Sequence, residues 1–169
     1  SDTIVATQQR ELINDLDSLS VPTRHLLPIS KYLALGFPIS IITSRGCPNR
    51  CIFCQGRRMV GSRVRSRNPL RVVDEIEELL AYGFVRINFA DDCFTSNSMR
   101  VKQICQEIRN RKLSFSWTVF ARADSVDTEL LTIMRDSGCD TVFFDIESGN
   151  QQMLDRVHKR VKLDRIRKA

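Results

Sequence analysis

The chain has 169 residues, 42% of them hydrophobic and 27% charged, with a formal net charge of +6. That is one domain's worth of chain with the composition of an ordinary globular protein. No apolar run approaches the length of a membrane span, and nothing at the start reads as a signal peptide. A first residue of serine, not methionine, is expected of a piece of a longer chain.

Residues 1–38 form a lead-in with weak periodicity. Residues 8–16 predict a short helix with Leu12, Ile13 and Leu16 on one face. Pro22 and Pro28 keep the remainder out of long regular structure, and His25 reads as part of its packing. From residue 39 to 169 the pattern repeats as strand, loop, helix. The first strand is predicted over 39–44. Asn68 and Pro69 open a helix carrying Val72, Val73, Ile76, Leu79 and Leu80, which Gly83 stops. A second strand follows over 84–90. Asn97 caps a helix with Met99, Val101, Ile104, Cys105 and Ile108 on one side. The third strand is 114–121, and Asp127 caps a helix bearing Leu130, Leu131 and Met134 that ends at Gly138. The fourth strand is 141–146, and Gly149-Asn150 opens a helix with Met153, Leu154 and Val157. Four such units in succession predict a parallel sheet. The strands are apolar nearly throughout, as expected when both faces are covered. An open doubly wound sheet and a segment of a β/α barrel look alike at this level, and in both the ligands gather at the C-terminal strand ends.

The first of those ends carries Cys47, Cys51 and Cys54 at C-x3-C-x2-C spacing, in a loop opened by Gly46 and Pro48. Three thiolates on one short loop can converge on a soft metal. A structural zinc site or a four-cysteine electron-transfer cluster needs a fourth ligand, and none is near: His25, His158 and Cys93 are all distant in sequence. Three thiolates on a [4Fe–4S] cube leave one iron open to a substrate. Zinc and buried structural cysteines are the alternatives. Cys93, Cys105 and Cys139 sit singly within periodic segments and read as packing residues, which favours a reducing, cytoplasmic setting over a disulfide framework. The other strand ends carry Asp91-Asp92, Arg122 and Glu147-Ser148. The basic stretches, Arg57 to Arg71 and the tail after Asp155, lack interleaved aromatic residues and read as solvated surface or as contacts with more protein, more than as a nucleic-acid site.

The cysteine loop after a buried strand resembles that of the radical S-adenosylmethionine (SAM) enzymes. From about residue 16 to 167 the chain is similar to the radical SAM domain of the cobalamin-binding members, and less closely to the methylthiotransferases. The matching pieces are the lead-in 19–28, the cysteine loop, residues 67–76, Phe89 to Thr95, Met134 to Cys139, and Ile146-Glu147-Ser148-Gly149. The resemblance implies an α/β fold, a partial parallel (β/α) barrel with about four units present of an expected six. It implies a [4Fe–4S] cluster on Cys47, Cys51 and Cys54 that reductively cleaves SAM to a 5′-deoxyadenosyl radical, in some members for cobalamin-dependent methyl transfer. Asp91 or Asp92 stands where the superfamily meets the SAM amino group. Arg122 suits the SAM carboxylate, and Glu147 and Ser148 suit the ribose hydroxyls. The cobalamin would lie in an upstream domain, and the reductant would be a flavodoxin or ferredoxin. An iron–sulfur carrier or sensor without SAM chemistry, and a methylthiotransferase acting on RNA or protein, are the rival readings. The last strand is expected to be an apolar edge, covered by the lead-in, the basic tail, the parent's missing domains or a second copy. The chain alone is expected to be incomplete for turnover.

Overall fold

The computed structural model describes residues 4–8 and 10–169. The helix expected over 8–16 does not form: residues 10–15 are irregular, with position 9 outside the described residues, and only a 3-10 turn, Leu16–Ser18, follows. Asp15 turns its carboxylate onto the Asp17 N–H at 3.0 Å, a local bond that competes with a helix. Leu16 alone of the predicted stripe is buried, while Leu12 and Ile13 stay exposed. A helix that the sequence did not announce, α1 (Ile29–Leu35), starts directly after Pro28 and ends at Gly36.

The first strand is shorter than predicted. β1 (Ile39–Ile41) stops three residues early, and β2 (Ser44–Arg45) leaves the sheet. After the cysteine loop and α2 (Gly56–Val60) comes β3 (Arg65–Ser66), which pairs antiparallel with β2. The clasp of β2 and β3 closes the cysteine loop at its base. Thereafter the predicted alternation holds: α3 (Pro69–Ala81), β4 (Arg86–Phe89), α4 (Ser98–Asn110), β5 (Ser116–Ala121), α5 (Thr128–Asp136), β6 (Cys139–Phe144), α6 (Gln151–Arg156) and a last short helix, α7 (Leu163–Lys168). The cap side chains of Asn68, Asn97, Asp127 and Asn150 accept from the backbone N–H groups of Leu70, Arg100, Leu130 and Met153.

The four main strands are parallel and lie in the order β1-β4-β5-β6. Each new strand joins the same edge, so the winding is that of a barrel segment and not of a doubly wound sheet, whose order reverses. The sheet is not closed. The core lies on the outer face. Val72, Val73, Ile76 and Leu79 of α3, Val101, Ile104 and Ile108 of α4, and Leu130 and Met134 of α5 pack on Ile41, Ile87, Phe89, Trp117 and Val119. Trp117 stacks on Phe89 at 4.7 Å, with Phe94 edge-on to both rings.

The inner face is not covered, contrary to the expectation of two buried faces. It carries Ser40, Asn88 and Thr118 side by side, with hydrogen bonds of 3.3 and 3.0 Å between them. Nearer the rim it carries Phe120 stacked on Phe143 at 5.1 Å, each nearly half exposed. Only every second residue of these strands meets the helices, so an apolar run there records the stacked phenylalanines as well as burial.

The lead-in crosses the β1 end of the sheet. Glu75 of α3, 3% exposed, pairs with Arg24 of the lead-in and with Arg67. The Asp17 carboxylate accepts from Asn68 N at 2.7 Å. α7 rests on the turn Ala123–Ser125. Neither segment pairs with the outer edge of β6, which has no strand partner among the described residues.

Candidate functional site

Gly46 opens the cysteine loop at φ 104°, and a Cβ there would stand 2.1 Å from the Arg63 carbonyl oxygen. Only glycine lets the strand leave so close to β3. Beyond it the backbone runs without regular structure, held by Cys47 N donating to Gly61 O at 3.1 Å and Ile52 N donating to Val157 O at 3.1 Å. Cys47 and Cys51 are half-buried, Cys54 is exposed, and all three are free thiols. Two sulfurs accept N–H donors: Asn49 Nδ2 to Cys47 Sγ and Gly56 N to Cys54 Sγ, both at 3.3 Å. The Cys93 thiol beside Cys47 draws the Cys47 thiol down to about 5, against its burial, with help from Asn49 and the Arg122 charge. The same pairing, with burial, pushes Cys93 up.

Three soft thiols, N–H donors to sulfur and a nearby guanidinium form a donor set that fits a cluster with three protein ligands. Among the described residues, no three such side chains are yet gathered to coordinating distance. The loop lacks internal ladders to draw them closer. Coordination itself is the bond that would close it.

Asp91 and Asp92 have different surroundings. Asp91 is 5% exposed, and its carboxylate accepts from Thr43 N at 2.5 Å, Thr43 Oγ1 at 2.6 Å and Ser44 Oγ at 2.6 Å. Burial pushes its carboxyl above the usual range, against those hydrogen bonds. Arg100 completes the cluster of contacts from α4, donating to Thr43 O at 2.8 Å and to Thr43 Oγ1 at 3.2 Å. Asp92 is exposed on the rim. Its Oδ2 accepts from Gly46 N at 3.2 Å. A Cβ on Gly56 would lie 3.3 Å from Cys54 Sγ and 3.7 Å from Asp92 Oδ1, so thiol and carboxylate border one gap.

Arg122 forms a bidentate pair with Asp124, both bonds 2.9 Å, and donates to Lys159 O at 2.8 Å. It lies within electrostatic reach of Cys47, Cys51 and Cys93. Glu147 has φ 71° and accepts from Lys159 Nζ at 3.2 Å. Ser148 Oγ accepts from Asn150 N at 3.1 Å, a turn bond before α6. The rim therefore brings Asp92, Arg122 and Glu147 toward the cysteine loop. It turns Asp91 inward and leaves Ser148 in the turn.

Sequence reasoning missed Arg100 and Lys159. Arg100 was detectable, because it lies beside Val101 and one turn before Ile104 on the buried stripe of its helix. Lys159 left no signal, since two left-handed neighbours turn it inward.

Residues 41–169 match the Radical SAM superfamily, and the chain belongs to this superfamily of enzymes. It is 38% identical over 89% of its length to an uncharacterized methyltransferase from Pyrococcus horikoshii, of which it covers 33%. It is 30% identical over 98% of its length to the anaerobic magnesium-protoporphyrin IX monomethyl ester cyclase of Rubrivivax gelatinosus, of which it covers 31%. The chain thus spans about a third of the length of these relatives. In fold it is similar to the radical SAM methyltransferase TsrM from Kitasatospora setae, solved with cobalamin and a [4Fe–4S] cluster. The TM-score is 0.74 at 23% identity, over 82% of this chain and 29% of that one. The strand order and the comparison agree on a partial radical SAM barrel. No helix among the described residues is long and apolar enough to cross a membrane.

Proposed function

We propose that the chain is the cluster- and SAM-binding core of a radical SAM enzyme that works with cobalamin to transfer a methyl group. The observation that carries this reading is the placement of Cys47, Cys51 and Cys54 at the C-terminal rim of a parallel sheet, as free thiols of which Cys47 and Cys54 accept N–H donors. When bound, the reduced cluster supplies the electron that cleaves SAM to methionine and a 5′-deoxyadenosyl radical. The protein's own work is to hold and shield. The three thiolates hold the cluster. Asp92, exposed beside Cys54, takes the SAM ammonium, and Asp91 positions the strand end beneath it. Arg122 takes the SAM carboxylate, and Glu147 and Ser148 take the ribose hydroxyls. Methyltransferase relatives support methyl transfer, with cobalamin in an upstream domain. A flavodoxin or ferredoxin is the reductant, and the reducing cytoplasm is the setting. The open edge of β6 meets further protein, either the parent's other segments or a second copy.

Anaerobic reconstitution tests this. It should load about four irons per chain, and addition of SAM should change the EPR spectrum of the reduced cluster. Cys51→Ala should abolish loading, while Cys105→Ala and Cys139→Ala should not. Zinc in place of iron, or normal loading in Cys51→Ala, sinks the reading. A cluster indifferent to SAM leaves an electron carrier.

A further inference from the structure

We propose that Lys159 is a positioning residue: its buried ammonium ties the SAM side of the rim to the cysteine loop and sets the charge that the cluster experiences. The proposal rests on the reading of that loop as a cluster site.

Lysine is seldom buried unless paired, yet Lys159 is 5% exposed. The backbone is bent to put it there. His158 and Arg160, on either side, both lie in the left-handed region at φ 56° and 57°, which side chains other than glycine's rarely adopt. Lys159 N donates to Leu154 O at 2.9 Å, and Arg122 Nη2 donates to Lys159 O at 2.8 Å, so the peptide is held from both sides. The ammonium then reaches two segments at once. It donates to Glu147 Oε1 at 3.2 Å, and it stands 5.8 Å from the centroid of the Phe53 ring. Phe53 lies between Cys51 and Cys54, and the adjacent Ile52 N–H is bound to Val157 O just before this turn. Glu147 is itself left-handed. Three strained positions therefore surround one ammonium, a cost that a simple surface ion pair would not justify.

Lys159 adds a favourable contact with the Phe53 face and a positive charge beside the thiolate loop. A [4Fe–4S] core of charge 2+ with three thiolates carries one net negative charge, and reduction adds a second. A fixed cation nearby stabilises the reduced form more than the oxidised one and so raises the reduction potential. Arg122, in contact with the Lys159 carbonyl, acts on the same loop with a charge partly offset by Asp124. Among the described residues the Lys159 ammonium pairs with Glu147, whose side chain is 35% exposed.

The test is an EPR-monitored redox titration of the reconstituted chain, with iron content measured on each sample. Lys159→Met keeps the stem and removes the charge. At the wild-type midpoint its ratio of reduced to oxidised cluster should fall about tenfold, equivalent to about 59 mV for a one-electron couple. Lys159→Arg should restore the ratio to within about twofold. Lys159→Gln serves where Lys159→Met does not fold, because it keeps a donor toward Glu147 and removes the charge; it should shift the midpoint in the same direction. A wild-type midpoint in a fully loaded Lys159→Met, or in Lys159→Gln where that variant stands in, overturns the proposal. Failure of the unmodified chain to bind iron overturns the cluster reading instead.

Discussion

Asp91 holds Thr43 twice: one carboxylate oxygen takes the Thr43 N–H at 2.5 Å and the other takes its hydroxyl at 2.6 Å. The two residues sit just past the ends of neighbouring strands, β4 and β1, and Thr43 lies four positions before the first cysteine. Arg100 closes the arrangement by donating to the Thr43 carbonyl, which also accepts from Arg67 N, so the backbone polar groups of Thr43 are satisfied where the sheet ladder ends.

The two adjacent aspartates should therefore separate by experiment. Asp91→Asn loses buried charge-assisted bonds and should cost about 2–3 kcal/mol, seen as a melting temperature lower by roughly 5–10 °C and as weaker iron retention. Asp92→Asn should leave melting and iron content unchanged and weaken SAM binding about tenfold by calorimetry. A wild-type melt for Asp91→Asn would show that another contact holds the strand end.

Glu75 faces two arginines from inside the core. Glu75→Gln leaves Arg24 without its acidic partner and Arg67 with only the more distant Asp17, and should destabilise the chain by about 3–5 kcal/mol in urea denaturation, with the slope unchanged. A loss below about 1 kcal/mol would mean that solvent reaches the pair.

Thiol labelling should sort the cysteines by burial. In the metal-free folded chain at pH 8, iodoacetamide should modify Cys47, Cys51 and Cys54 and spare the buried Cys93, Cys105 and Cys139. Burial pushes the Cys105 thiol up from 9.0 to about 11 and the Cys139 thiol up to about 12. These folded values are raised, so above pH 9 the unfolded chain ionises while the folded chain still holds its protons. Their contribution to stability is full below pH 9 and should be lost as pH rises toward about 12. Denaturation midpoints from pH 8 to 10.5 check this, and Cys105→Ala with Cys139→Ala should flatten the decline.

The unpaired edge of β6 and the exposed Phe143 should promote self-association. Light scattering at micromolar concentration should show species larger than one chain, and Phe143→Lys should shift them toward monomer. A monodisperse monomer in the unmodified chain would show that the edge is protected without a partner.

Helices α3, α4 and α5 were legible because each carries two independent signals, a polar cap and an apolar stripe. The cysteine loop was legible because its spacing is local chemistry. The end of β1 was not. Residues 39–42 are apolar enough to extend the strand, but Asp91 and Arg100, distant in sequence, take the Thr43 groups and release the chain into the clasp. Asp91 and Asp92 look equivalent in sequence, since only tertiary contacts decide which of two adjacent carboxylates turns inward. The lead-in misled for a similar reason. The apolar spacing of Leu12, Ile13 and Leu16 fits a helix, but its short-range bonds run through Asp15, and Leu16 finds its partners in the core.

The grip of Asp91 on Thr43 also bears on how the chain reaches its native pairing. β1 and β4 are separated in sequence by the 44 residues between Ile41 and Arg86, which carry the clasp and α3. Parallel strands with few side-chain locks can slide. Moving β4 by one position so that Ala90 faces Thr43 would leave Thr43 N without its side-chain acceptor and take from Arg100 a nearby anion. That slip would bury unsatisfied groups, so this carboxylate favours the native alignment before any metal arrives.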